Sequence, residues 1–314
     1  MSFEPFDATR GDVIRDPLSN EDGYWVGAPG ATFEPETEDF YLTYRIRRPR
    51  GVVPDRGAEI RIAKSKDGIH FDDIWSGTKD QLSTTSIERC ALLKHDSKWI
   101  LYISYVDPVD QRWRTDLVRA DSPEKFKLAD VEPVLTAGDI DAEGVKDPFI
   151  LQVDGVYHMY LSYAIRVGDA SASEMHSTSD AYNTGRILSA TGLATSDNAL
   201  SWSWQGGVFM PSESGWDCYA ARIGTVWKEG DQWLALYDGS ADVSENYEER
   251  CGLATSDDLR TWHRVTVDGP LMQPPHGKAA LRYFDVLKVE DQQFIYYELA
   301  LPDGSHDLRV LHRG

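Results

Sequence analysis

Cysteine is scarce. Cys90, Cys218 and Cys251 are three residues in 314, too few and too scattered for a disulfide framework, so a reducing, cytoplasmic setting is expected. The eight histidines are dispersed, with no HExxH and no Cys/His cluster at ligand spacing, and no metal site is expected. GxGxxG and GxxxxGK[ST] are absent, which removes the common nucleotide cradles, and no cofactor is expected. GxSxG is absent too, so GLATSDD is a strand-turn repeat rather than a nucleophile elbow. No apolar run approaches the ~18–20 residues of a membrane span, and the first residues, MSFEPFDATRGD, have neither the basic nor the apolar region of a signal peptide. Positive charge is in deficit, with 32 basic against 52 acidic residues and a net charge of −20. That argues against nucleic acid, whose phosphates must be neutralised by Lys and Arg.

What the chain does have is repetition. Gly144 to Tyr163, GVKDPFILQVDGVYHMYLSY, reads as two strands joined at Asp154-Gly155, a strong hairpin signal between apolar runs. A shift of 58 positions lays SIERCALLKHDSKWILYISY, from Ser86, over it, with Arg89 on Asp147. A shift of 119 lays WVGAPGATFEPETEDFYLTY, from Trp25, over it, with Ala28 on Asp147. Looser copies begin at Tyr219 and Leu281. After each of the first four hairpins comes an apolar strand, a polar turn and an aromatic: IRIAKSKDGIHF, TDLVRADSPEKF, TGLATSDNALSW and CGLATSDDLRTW. Four-stranded units of this kind are the signature of propeller blades. The expected fold is therefore all-β, a single five-bladed β-propeller domain over residues 1–314. The fifth unit ends at its third strand, near Leu308, and FEPFDATRGDVIRDPL at the other end of the chain resembles the fourth strands elsewhere. It is expected to close the ring and so remove free sheet edges.

In a propeller the first strand of each blade lines the central channel, and the loops entering it share a face with those leaving the second strand. Chemistry is expected there. Asp147 stands at such a strand start, ahead of Pro148, which biases it to an extended conformation. Glu88 stands at the matching start in the second unit and Asp285 near it in the fifth; these three are the candidate catalytic carboxylates. Glu143 and Asp217 are lesser proton-donor candidates. Arg89, Lys146 and Arg222 are expected at the same mouth, with Arg45 in a basic loop through Arg50 and Trp113 in the loop after the second hairpin, as substrate-binding residues. The stretch from Ile165 to Arg186 is long for a loop in a compact domain, and its Ser, Ala and Asp content suits a lid. Paired carboxylates about 6.5–9.5 Å apart serve inverting cleavage of a glycosidic bond and about 5–5.5 Å a retaining one.

The repeats WLALYDG…CGLATSDDLRTW and GVKDPFILQVDGVYHMYLSY resemble blades of the five-bladed β-propeller glycosidases, glycoside hydrolase families 32, 43, 68, 117 and 130. The resemblance extends over essentially the whole chain. It implies a carbohydrate-active enzyme, a glycoside hydrolase acting on an oligosaccharide or glycoside. In family 43 it implies a base Asp on the first inner strand, where this chain has Ala28, and an orienting Asp on the third, matched by Asp147. Family 130 carries a GIEDPR-like stretch; SIERCA keeps Glu88 but has Arg89 at the Asp position, and GVKDPF matches it one unit later. Two alternatives stay open: a phosphorylase of the same fold, in which arginines hold phosphate, and a non-catalytic sugar-binding propeller. Arginine and lysine at the mouth point to a substrate that is acidic, or to phosphate as co-substrate.

Overall fold

The computed structural model describes residues 3–169, 171, 173, 175, 180–276 and 280–314. Among the described residues, twenty strands form five four-stranded antiparallel units. The first unit holds β2 (Trp25–Glu34), β3 (Asp39–Arg48), β4 (Arg56–Ser65) and β5 (Asp72–Thr78). The second holds β6 (Ile87–His95), β7 (Lys98–Val106), β8 (Trp113–Ala120) and β9 (Glu132–Leu135). The third holds β10 (Val145–Val153), β11 (Val156–Arg166), β12 (Ile187–Ser196) and β13 (Ser203–Phe209). The fourth holds β14 (Ala220–Glu229), β15 (Gln232–Ser240), β16 (Arg250–Ser256) and β17 (His263–Arg264). The fifth joins β18 (Leu281–Val289), β19 (Gln292–Ala300) and β20 (His306–Arg313) to β1 (Asp12–Arg15) from the other end of the chain.

The turn chemistry explains why the units repeat. Asp154 and Gly155 both adopt positive φ, 49° and 83°, as a two-residue hairpin turn requires. In the polar turns the hydroxyls of Ser65, Ser196 and Ser256 accept from the backbone N–H of Asp67, Asn198 and Asp258, whose own side chains accept two further N–H groups each. Those bonds hold the Asp258 carboxyl at about 2, below its usual range. A tyrosine from the neighbouring unit then donates to a carbonyl of each turn: Tyr296 to Gly68, Tyr102 to Ala199 and Tyr160 to Leu259.

Polar bonds between neighbouring units run right round the ring. Thr43 Oγ1 donates to Cys90 O at 3.0 Å, Asp147 N to Ser104 Oγ at 2.8 Å, Ile223 N to Thr191 Oγ1 at 2.8 Å and Val286 N to Thr225 Oγ1 at 3.0 Å. Ala28 N donates to Glu298 Oε2 at 3.1 Å, joining the first unit to the fifth. Apolar layers fill the spaces between units; Trp227, Leu236, Phe284, Ile295 and Tyr297 form the one between the fourth and fifth.

The expected ring closure is present. Asp12 pairs with Val310 and Arg15 with Leu308, Tyr297 Oη donates to Ala8 O at 2.6 Å, and Phe3, Ala8 and Ile14 are buried. Burying an apolar side chain of this size contributes roughly 1.5–3 kcal/mol, and the exposed edge of β20 would add an aggregation hazard. Deleting residues 2–18 is expected to lower the melting temperature by 10 °C or more, on the order implied by the loss of several kcal/mol, or to make the protein insoluble. A truncated protein as stable as the parent would remove the closure argument.

Two local expectations change. Arg45 and Arg47 lie within β3, which continues through Arg48, so the basic stretch is largely strand rather than loop. Much of the expected lid falls outside the described residues, but its far end is packed: Met175, Ala181 and Tyr182 are buried against Val106, Trp113, Ile187 and Tyr219.

Candidate active site at the channel mouth

Every first strand carries a β-bulge near its start: between Gly27 and Gly30, Ile87 and Cys90, Lys146 and Phe149, Ile223 and Thr225, and Arg282 and Asp285. Bulges re-aim side chains and recur beside active sites. Ala28, Asp147 and Tyr283 occupy equivalent bulge positions with φ of 53°, 60° and 54°, a backbone region that non-glycine residues seldom enter, Asp more readily than most. The structure thus bears out the alignment of Ala28 with Asp147. In the second unit the bulge holds Glu88 and Arg89.

Above these bulges lies a cavity with about 30 Å³ of free space. Its walls carry six cations, Arg45, Arg47, Arg56, Lys146, Arg222 and Arg282, against three carboxylates, Glu88, Asp180 and Glu249; Trp113, Tyr182, Tyr247 and Tyr283 supply aromatic faces. Each of these carboxylates is held by two guanidinium groups. Glu88 meets Arg45 at 2.6 Å and Arg47 at 3.5 Å, and Glu249 meets Arg222 at 2.9 Å and Arg282 at 2.8 Å. Asp180 meets Arg50 and Arg56. Burial alone would raise Glu88, but Arg45, Lys146 and Arg47 outweigh it and hold the carboxyl below its ordinary range. Ionisation of Glu88 is therefore secured by its neighbours.

Asp147 differs. It is only 6% exposed, and neither of its carboxylate oxygens accepts a hydrogen bond. The Lys146 ammonium lies 2.9 Å from Oδ2, close enough for an ion pair but off the hydrogen-bonding direction. Lys146 itself packs over Trp113 and Tyr182, at 5.2 and 5.0 Å from the ring centres, and lines the cavity. The negative charge of Asp147 reaches Tyr182, Tyr283 and Arg222, all on the cavity wall. Buried polar atoms are nearly always bonded, and an exception is a mark of catalysis or of a ligand's place.

Of the residues expected at this mouth, Glu88, Lys146, Arg222, Trp113 and Arg45 line the cavity. Arg89 and Asp285 do not, and neither does Asp147, although the Lys146 it pairs with does. Arg89 is 1% exposed and donates to Pro29 O, Gly224 O and Asp285 Oδ2 at 2.7, 2.6 and 2.9 Å, so its whole donor edge is used in bracing four units together. Asp285 lies two residues beyond the bulged Tyr283, further along the channel, and also accepts Ala31 N; burial pushes its carboxyl up to about 6. Glu143 is buried against Arg166, and Asp217 accepts from Ser212, Tyr237 and Arg264 in the fourth unit; neither lines the cavity.

Glu298 and Asp238 are among the buried acids that escaped the sequence reading. Glu298 Oε1 accepts both Nε and Nη2 of Arg282, at 3.0 and 2.8 Å, and is 2.6 Å from His306 Nδ1; Oε2 accepts Arg45 Nη2 at 3.0 Å as well as Ala28 N. Asp238 accepts Tyr283 N with both oxygens at 3.1 Å. The signal was an acid inside an apolar second strand, IYYELA and LALYDG, since lone acids are rarely buried without a partner.

Burial, with Glu249 nearby, pushes the Asp238 carboxyl up from 3.8 to about 7. Between those values the folded chain keeps a proton that the unfolded chain has lost, so this group costs stability as pH rises toward 7. Asp238→Asn, which retains an acceptor for Tyr283 N, is expected to raise the melting temperature at pH 8 and to raise it by a smaller amount at pH 5. Equal shifts at both pH values would show that ionisation of Asp238 is not the cause.

Among the described residues no cluster of His, Cys, Asp and Glu could hold a metal ion, and no helix is long and apolar enough to cross a membrane. No family model matches the sequence, and no curated protein matches it. Solved structures do. A glycoside hydrolase superposes with a TM-score of 0.69 at 13% identity, over 96% of this chain and 90% of that one. A thermostable family-43 glycoside hydrolase gives 0.65 at 13% identity, over 91% and 89%. A β-1,2-mannobiose phosphorylase from Listeria innocua gives 0.62 at 14% identity, over 95% and 92%. Along nearly its whole length the chain has the fold of the β-propeller glycoside hydrolases.

Proposed function

We propose that this protein is a carbohydrate-active enzyme that cleaves a glycosidic bond at the cavity, with Asp147 as a catalytic residue. The observation that carries this reading is a buried carboxylate that accepts no hydrogen bond and meets the Lys146 ammonium, beside a cavity whose lining carboxylates are each held by two guanidinium groups. Cleavage needs a proton for the leaving oxygen and a base for the attacking water. Glu88, kept ionised by Arg45, Lys146 and Arg47, suits the base. Asp147 then serves the leaving oxygen. Lys146 acts on both carboxylates and pairs directly with Asp147; the inverting reaction of this reading needs the two about 6.5–9.5 Å apart. Asp285, braced by Arg89, takes no part in bond cleavage in this reading. With about 30 Å³ free, the cavity holds a water or two, so a sugar ring enters only as wall side chains shift.

Phosphorolysis is the second reading, and the cation surplus of the cavity favours it. Phosphate as nucleophile would need no carboxylate base, and arginine suits its oxygens. Turnover of a panel of aryl glycosides, with and without inorganic phosphate, separates the two. Hydrolysis predicts aglycone release that is indifferent to phosphate; release that requires phosphate would replace hydrolysis by phosphorolysis.

A further inference from the structure

Arg47 stands apart from Arg45, Lys146, Arg222 and Arg282. Its guanidinium packs against two adjoining rings, 4.8 Å from the centre of Trp25 and 5.2 Å from that of Tyr247, whose centres are themselves 5.2 Å apart. Trp25 is itself fixed, donating Nε1–H to Gly304 O at 3.0 Å and stacking on His306 at 4.4 Å. Arg47 is 6% exposed and lines the cavity, yet its contacts are long: 3.5 Å to Glu88 Oε1 and 3.5 Å to Tyr247 Oη. Arg45, Lys146, Arg222 and Arg282, by contrast, each meet a carboxylate at 2.6 to 2.9 Å.

Taking a guanidinium out of water is costly unless an anion meets it at hydrogen-bonding distance. Contact with aromatic rings offers the charge a π face but no acceptor in the guanidinium plane, where the N–H donors point, so those donors are left for an in-plane partner. Glu88 is a poor candidate for that partner, because its tighter bond goes to Arg45. We propose that Arg47 is the specificity-determining residue of the site and receives an oxyanion, through paired N–H donors, from the substrate or co-substrate. This deepens the reading of the cavity as a glycoside-cleaving site and rests on it. The oxyanion has two possible sources: the carboxylate of a uronic acid ring, or inorganic phosphate.

The test is binding without turnover. Calorimetric titration of the full chain with glucuronate, with inorganic phosphate and with glucose is expected to show one of the anions binding more tightly than glucose. Glucuronate identifies the sugar carboxylate as the source, and phosphate the co-substrate. Arg47→Met is expected to weaken that anion by about 10–100-fold, the range of a lost hydrogen bond to a charged group, and to leave glucose unaffected. Arg47→Lys, which keeps charge but not the paired donors, should fall between. The proposal is overturned if the parent protein binds neither anion more tightly than glucose, a result that needs no variant to fold. It is equally overturned if a folded Arg47→Met binds the anion as the parent does. Because no bond is cleaved in these titrations, their outcome is independent of whether Asp147 acts on a glycoside.

Discussion

Asp147→Asn is expected to lower kcat on a cleaved glycoside by about 10²–10⁴-fold, the usual loss when a positioned acid or base is removed, while KM changes little. Several features make this substitution informative. Asparagine tolerates the positive φ of 60° almost as well as aspartate, so the bulge need not relax. No protein donor bonds to the carboxylate, so the amide breaks no hydrogen bond. Lys146 loses a counter-charge but keeps Trp113 and Tyr182 beneath its ammonium. A merely structural Asp147 would show itself by a lowered melting temperature with kcat retained. Activity above about a tenth of the parent's would take Asp147 out of the reaction.

Glu298→Gln is expected to destabilise the fold by about 3–5 kcal/mol, the range for breaking one partner out of a buried ion network. Glu298 is fully buried and meets Arg45, Arg282, His306 and the backbone of Ala28 at once. The amide has one acceptor oxygen where the carboxylate has two, and its NH2 group would face donors. Arg45 and Arg282 retain Glu88 and Glu249, which keeps the loss from being larger. The pH dependence has a definite sign. Burial opposes ionisation of Glu298, but Arg282, Arg45 and His306 outweigh it and hold the carboxyl far below its ordinary 4.5. Its contribution is complete above that value and is lost only as pH falls toward the folded value. Denaturant titrations should therefore show the gap between parent and variant at full size at pH 7 and shrinking below pH 4. A gap that does not change with pH would mean that packing, not charge, is what the substitution removes.

The fold was legible because each hairpin carries its own turn chemistry and each polar turn its own serine and aspartate, so that repetition could be seen before any long-range contact was known. The ring closure was legible for the same reason: β1 resembles the fourth strands it completes. Asp147 could be placed at an inner-strand start from the hairpin register, but its conformation could not: Pro148 suggests an extended backbone, and the bulge holds Asp147 at a φ of 60° instead. Arg89 and Asp285 could not be placed, because one or two residues along a channel strand separate a cavity wall from a buried brace, and the bulges that set this offset leave no trace in composition. Arg47 was in view only as part of a basic stretch; that it is strand, and packed against Trp25 of its own unit and Tyr247 of another, depends on strand pairing and on contacts across the ring. The wall formed by Asp180, Tyr182 and Asn183 is likewise long-range, since the chain between β11 and β12 has no repeat counterpart.

The central claim is that Asp147 cleaves glycosidic bonds at this cavity, and proton NMR of the anomeric region during incubation with neutral and uronic aryl glycosides tests it most directly. The account predicts a new anomeric signal from the parent protein, first appearing in the inverted configuration, and none from Asp147→Asn over the same interval. No new signal from any glycoside, with water or with phosphate as acceptor, or equal signals from parent and variant, would contradict it.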